Sequence, residues 1–177
     1  MTTNPKFTFR RAKIEDIAAV RQMIQELADF EKMSDGPKIT EKDVIRDAGL
    51  DGGQEYCHIY VLDLQSDEQT TPLTIGYSIC FYSYSTWEGK AYFLEDIYVR
   101  PTYRNLGAGS YIFRSVAGKA KEYNCQRLDF HVLGWNPARK FYDKLGAVDL
   151  TEKEDWHFYR LNSEQIAKLA NTRFENI

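Results

Sequence analysis

Cysteine and histidine are scarce in this chain, and neither is spaced for a bridged or metal-braced scaffold. The three cysteines, Cys57, Cys80 and Cys125, are odd in number and widely separated, which argues against a disulfide framework and against a zinc ribbon. His58, His131 and His157 have no metal-ligand spacing, and neither a His-Glu-x-x-His pair nor a Ser-His-Asp grouping is present; metal and hydrolase chemistry have no foothold. Positive charge is also short. The formal net charge is -3 and no run of Lys or Arg marks a basic tail, so nothing attracts nucleic acid or an anionic membrane over distance. Long apolar runs are missing: Met1 to Arg11 holds none of signal-peptide length, and the most apolar later stretch is broken by Ser, Tyr and Gly. A protein of the reducing cytoplasm, without secretory leader or membrane span, is expected.

What is present suits one packed core. The 177 residues are 43% hydrophobic, 14% aromatic and 28% charged, which predicts a single domain over residues 1–177. Phe7 and Phe9 alternate with polar residues as in a half-buried strand, and Ile14, Ile17, Val20, Ile24, Leu27 and Phe30 follow at helical spacing. After the turn-like Ser34 to Pro37, Thr40 and Asp43 stand three apart as a helix cap, with Asp51-Gly52-Gly53 to end that helix. Tyr56 to Leu64 and Leu73 to Tyr84 read as a hairpin across the polar Gln65 to Thr71, and Ala91 to Val99 as a central strand closed by Pro101. A helix is expected from Gly107 to Tyr123, a strand through Leu128, Phe130 and Val132, and a helix from Ala138 to Leu145 stopped by Gly146. Trp156 to Leu161 reads as a last strand, followed by a short helix from Ser163. The fold class is α/β (α+β), with helices packed on a mixed, mostly antiparallel sheet.

Chemistry concentrates between Glu95 and Ser110. Gly107 and Gly109 let the turn's backbone amides approach an anion, and a helix starting there adds its positive end, which would seat a pyrophosphate. The same glycines would also serve a plain turn into a helix. Glu95 and Asp96 are neighbours on a strand, so they face opposite sides unless a bulge intervenes. They read either as working carboxylates or as one half of a surface ion pair.

The order Arg104-x-x-Gly107-x-Gly109 after a strand carrying Glu95-Asp96 resembles the acetyl-CoA-binding motif of the GNAT acetyltransferase superfamily. Tyr82 to Lys90, Tyr92 to Val99, Trp135-Asn136 and Phe141-Tyr142 with Gly146-Ala147 are similar to the diamine (spermidine/spermine) acetyltransferase branch. Leu27 to Lys32, Tyr84 to Trp87 and Asp149 to Phe158 resemble its thialysine N-ε-acetyltransferase subgroup. The resemblance spans nearly the whole chain. It implies a GNAT-like sheet in which the strand before the motif splays from its parallel neighbour. It further implies acetyl-CoA held by the main chain of Ile97, Tyr98 and Val99, by Arg104, Asn105, Leu106, Gly107, Ala108, Gly109 and Ser110, and by Asn136, Pro137, Ala138 and Arg139. Glu95 would be the base, Tyr142 the acid, and Phe30, Glu31, Trp87, Glu95, Asp96, Asp129, Phe130 and His131 the amine site. A homodimer is implied as well.

The chain departs from the pattern at Asn105, where many relatives have Gly, and in the spacing from Asn136 to Tyr142, one residue shorter than usual. Ser85 stands where polyamine-type members carry an acidic residue, which suggests a less cationic substrate. A lysine-like amine of pKa near 10.4 costs roughly 4 to 5 kcal/mol to deprotonate at neutral pH, so a base is needed. A thioester is already activated, so direct attack in a ternary complex needs neither metal nor nucleophilic residue. The leading expectation is acetylation of thialysine or a related small amine. Polyamine acetylation, protein or peptide acetylation, and a non-catalytic acetyl-CoA-binding module are the alternatives.

Overall fold

The computed structural model describes residues 6–65 and 71–172, so the middle of the loop expected after Gln65, residues 66–70, lies outside it. The chain divides between Leu133 and Gly134 into two compact units. The first holds a five-stranded sheet whose spatial order follows the sequence: β1 (Lys6–Arg11), β2 (His58–Gln65), β3 (Leu73–Ser85), β4 (Gly89–Val99) and β5 (Leu128–Phe130). The first four are antiparallel. β5 runs parallel to β4, which requires a crossover, and α3 (Ala108–Glu122) supplies it.

Each face of the sheet is closed by helices that the apolar spacing anticipates. α1 (Ile17–Phe30) turns Ile17, Val20, Met23 and Ile24 inward, and with Val44 and Ala48, within and just after α2 (Glu41–Asp47), they cover Ile59, Val61, Tyr77 and Tyr98. Burying each such side chain contributes about 1.5–3 kcal/mol, well above differences in helix propensity. The opposite face buries Tyr60, Leu62, Cys80, Tyr92 and Leu94, while α3 buries Ile112, Phe113, Val116 and Ala120. Approach is closest at Gly76, where a Cβ would stand 3.0 Å from Ile112 Cδ1 and 2.7 Å from the Tyr98 carbonyl oxygen.

Thr40 and Asp43 form the expected reciprocal cap of α2 (Glu41–Asp47): Asp43 N–H donates to Thr40 Oγ1 at 3.2 Å and Thr40 N–H to Asp43 Oδ2 at 2.9 Å. The helix stops before Asp51-Gly52-Gly53, because Gly49 turns left-handed at φ 63° and the Asp47 carbonyl accepts from Tyr56 N–H at 2.8 Å. β5 is also shorter than its alternation suggested and leaves Val132 outside.

The second unit contains α4 (Arg139–Lys144), α5 (Leu150–Glu154) and α6 (Ser163–Asn171). Arg139 ties α4 to α5 through Asp149 at 2.8 Å and Glu152 at 3.0 Å, and Asn162 with Gln165 caps α6. The strand expected over Trp156 to Leu161 does not form. Its apolar residues remain exposed, Tyr159 by 88%, and a strand exists only through ladder partners, which this segment lacks among the described residues. No helix among the described residues is long and apolar enough to cross a membrane.

Candidate active site

The register of β3 on β4 shifts by one at the predicted carboxylates. Cys80 stands opposite Leu94 and Ile79 opposite Asp96, so Glu95 is an extra residue in β4, a β-bulge. The bulge cancels the alternation that would have sent the two acids to opposite faces. Asp96 shares the face of Ile79, and Glu95, one residue past Leu94, points to the same side, the side covered by α1.

Electrostatics bear out this grouping. Asp96 Oδ2 accepts a 2.9 Å hydrogen bond from the wholly buried hydroxyl of Tyr77. Burial, then the charges of Glu95 and Glu31, lift the Asp96 pKa to about 6, against the lowering effect of the Tyr77 bond. Burial likewise raises Glu31, at the C-terminal end of α1. Glu95 itself is exposed. Three carboxylates from two elements therefore converge on one side of β4, against a wall made by Phe93, which stacks on Phe81 at 5.0 Å and meets the exposed His131 ring edge-on at 5.0 Å.

The bulge also inverts the odd–even alternation of the backbone along β4. Before it, Tyr92 N–H donates toward β5, to the Arg127 carbonyl at 3.0 Å; after it, Arg100 N–H donates toward β3, to the Ile75 carbonyl at 2.9 Å. Both residues are even-numbered, so the alternation inverts between them. Ile97 and Val99 consequently turn their N–H and C=O away from β3, while the main chain of Tyr98 faces β3 and is not part of the open edge, contrary to expectation. β5 pairs only with Tyr92 to Leu94, so no β5 partner lies beside Glu95 to Val99 within the described strands.

That open edge leads into the glycine turn. Gly107 caps α3 with φ 83°, no side chain satisfies the first amides of the helix, and a Cβ at Gly107 or Gly109 would meet nothing within 4 Å. Free N–H groups, the positive helix end and empty space above the glycines suit a pyrophosphate. Asn105 has φ 40°. Asn is among the few residues other than Gly that tolerate this region, which accounts for its place in a glycine-bearing turn. Ala108 is buried and Leu106 is 46% exposed. Arg104 lies back toward β4: Nε donates to the Val99 carbonyl at 2.9 Å, and the guanidinium sits 5.4 Å from the ring centres of both Phe30 and Tyr98.

Other predicted residues are placed apart. Phe130 pairs with Leu94, and its ring meets Phe113 of α3 at 5.4 Å on the opposite face from the carboxylates. Asp129 shares the face of Phe93, with Oδ2 bound to Arg127 Nε at 2.8 Å. Trp87 is 82% exposed in the β3–β4 turn, about 20 Å along the strand from Glu95. Ser85 is buried, and its Oγ accepts from Trp87 N–H and Glu88 N–H, both at 3.2 Å. Its hydroxyl shapes the turn, so Ser85 says less about substrate charge than the sequence suggested. In the second unit, Ala138 N–H donates to Asn136 Oδ1 at 2.9 Å, Pro137 lies between them, and Arg139 is engaged by Asp149 and Glu152. Tyr142 is buried there, which raises its pKa and keeps the phenol protonated. Among the described residues no group of three acidic, His or Cys side chains could hold a metal.

Comparison with known proteins agrees with this arrangement. The family model described as "Acetyltransferase (GNAT) family" matches residues 21–147. A thialysine N-epsilon-acetyltransferase of Bos taurus is 42% identical over 91% of this chain and 95% of its own length. A human spermidine/spermine N(1)-acetyltransferase-like protein 1 is 33% identical over 96% of this chain and 24% of its own. In fold, a Vibrio cholerae integron cassette protein superposes with a TM-score of 0.68 at 19% identity, over 94% of this chain and 98% of that one. The carboxylate-bearing bulge, the open strand edge and the glycine-capped helix thus sit in a sequence that is GNAT over most of its length, and the chain is an N-acetyltransferase of the GNAT family.

Proposed function

We propose that the enzyme transfers acetyl from acetyl-CoA to the primary amine of a small lysine-like molecule, thialysine or a relative, by direct attack within a ternary complex. The observation that carries this reading is the bulge at Glu95, which joins an acidic amine site to an open backbone edge. Acetyl-CoA supplies an activated acyl thioester. The amides of Ala108, Gly109 and Ser110 would hold its pyrophosphate, and the main chain of Ile97 with the N–H of Val99, whose carbonyl accepts from Arg104, its pantetheine arm. Glu31 and Asp96 attract the ammonium, and Glu95, exposed beside them, takes its proton through a water. Tyr142, held protonated by burial, is the proton donor to the departing sulfur. The family match runs across the boundary between the two units, which supports one functional domain over residues 1–177. The exposed hairpin end bearing Tyr84 and Trp87, 77% and 82% exposed, supports a homodimer; the cytoplasm is the compartment we assign.

A second reading is favoured by the carboxylate count. Glu31, Glu95 and Asp96 together would suit a polyamine, now that Ser85 is occupied with its own turn. The deciding experiment is release of CoA thiol with thialysine, lysine, ornithine, putrescine, spermidine, spermine and a lysine peptide. Thialysine leading in kcat/KM supports the proposal, and spermidine leading moves the enzyme to the polyamine class. A lysine peptide leading would point to protein acetylation. No turnover despite coenzyme binding would leave a binding module.

Two substitutions probe the parts. Gly109→Val places a branched side chain in the empty space over the helix start and is expected to weaken acetyl-CoA binding by at least about tenfold, measured by calorimetry; unchanged affinity would move the pyrophosphate elsewhere. Tyr142→Phe is expected to slow transfer about tenfold with little change in melting temperature. Wild-type rates would remove Tyr142 as the acid.

A further inference from the structure

The hydroxyl that reaches the carboxylates from beneath has no part in the scheme above. Tyr77 is 0% exposed, set between α1 and the sheet. An apolar ring would fill that place without a phenol to desolvate, and the hydroxyl is accommodated because it donates to Asp96 Oδ2 at 2.9 Å. The bulge makes this bond possible by bringing Asp96 onto the face of Tyr77. We propose that Tyr77 is a positioning residue of the amine subsite: its buried hydroxyl fixes one oxygen of Asp96 so that the other is held for the substrate ammonium. The proposal deepens the amine-acetylation reading and rests on it.

The groups around this pair come from three directions. Glu95 lies beside Asp96 on β4 and Glu31 approaches from the end of α1. Tyr98 flanks Tyr77, with Glu26 of α1 acting on it and Arg104 over its ring. Glu95 and Glu31 favour the protonated form of Asp96, whereas the Tyr77 bond favours the carboxylate. A protonated Asp96 binds an ammonium poorly, so Tyr77 extends amine binding to lower pH.

Tyr77→Phe removes the hydroxyl and keeps the ring. With the best amine of the panel, its KM is expected to rise at least about fivefold at pH 6.5, with the acidic limb of kcat/KM moved upward. The KM for acetyl-CoA and the kcat at pH 9 should stay near wild type. In an Asp96→Asn background the same change should have a diminished effect and leave the pH dependence of KM unmoved, since Tyr77 then has no carboxylate whose charge it can hold. A superimposable pH profile, or an undiminished loss in the Asp96→Asn background, overturns the proposal. The Asp96 carboxyl carbon resonance, titrated by NMR in the free protein, reads the same effect without turnover. An upward midpoint in Tyr77→Phe supports the role of Tyr77 even if no amine is acetylated, in which case the acetylation reading alone fails; an unmoved midpoint overturns the role of Tyr77 alone.

Discussion

Glu95→Gln is expected to lower kcat/KM at pH 7 by about a hundredfold or more, while acetyl-CoA affinity stays at the wild-type value. The substitution keeps the shape of the side chain and the extra residue that makes the bulge, so the open edge of β4 and the glycine turn are undisturbed. Only proton acceptance is lost. The loss should therefore shrink as pH rises toward the amine's own pKa, about 10.4 for a lysine-like substrate, where the free amine no longer needs a base. Steady-state rates from pH 6.5 to 10, with coenzyme binding measured by calorimetry, check both halves. A matching fall in coenzyme affinity would show that Glu95 shapes the site instead of acting in it.

Asp96→Asn should stabilise the free enzyme at neutral pH and weaken its hold on the amine. Asp96 is raised from 3.8 in an ordinary environment to about 6 in the fold, so the folded state binds the proton more tightly than the unfolded one. Stability from this group is full below the ordinary value and is lost as pH rises through 6. At pH 7 to 8 the ionised, crowded carboxylate costs on the order of 3 kcal/mol by linkage. Asn is neutral, and its carbonyl oxygen still accepts the Tyr77 bond. Urea unfolding across pH 4 to 8 should show the variant more stable at the upper end, the gap closing toward pH 4. A gap independent of pH, or of opposite sign at pH 7, would contradict the assignment. A carboxylate proposed to recognise substrate would thus be kept at the expense of stability, as active sites commonly are.

How far the sequence could be read depends on whether a feature is local. The Thr40–Asp43 cap, the stripe of α1 and the glycine entry to α3 are written within a few residues of one another, and each is found in the fold. The bulge is not local, because a one-residue shift is defined only against the partner strand. Glu95-Asp96 was legible as a pair of acids, but their shared face was not. Tyr77 went unread for a related reason: an aromatic in a strand looks like core, and only the contact with Asp96 gives its hydroxyl a purpose. Phe130 was placed with the amine site by resemblance, whereas its pairing with Leu94 turns the ring toward Phe113. Ser85 shows the converse. Read as a missing acidic charge, its hydroxyl is instead engaged by the turn it sits in, accepting from Trp87 and Glu88 N–H. The strand over Trp156 to Leu161 failed because alternation describes a face and not the partner that would cover it.

Glu95 occupies the one position in β4 without a partner of its own in β3. Taking that residue out of the chain, as opposed to changing it, would remove the proposed base and close the ladder with Leu94 still opposite Cys80 and Asp96 still opposite Ile79, so that Ile97 and Val99 kept their amides and carbonyls turned away from β3. The proposed base can therefore be lost from β4 by deletion while the backbone edge proposed for the coenzyme stays as it is.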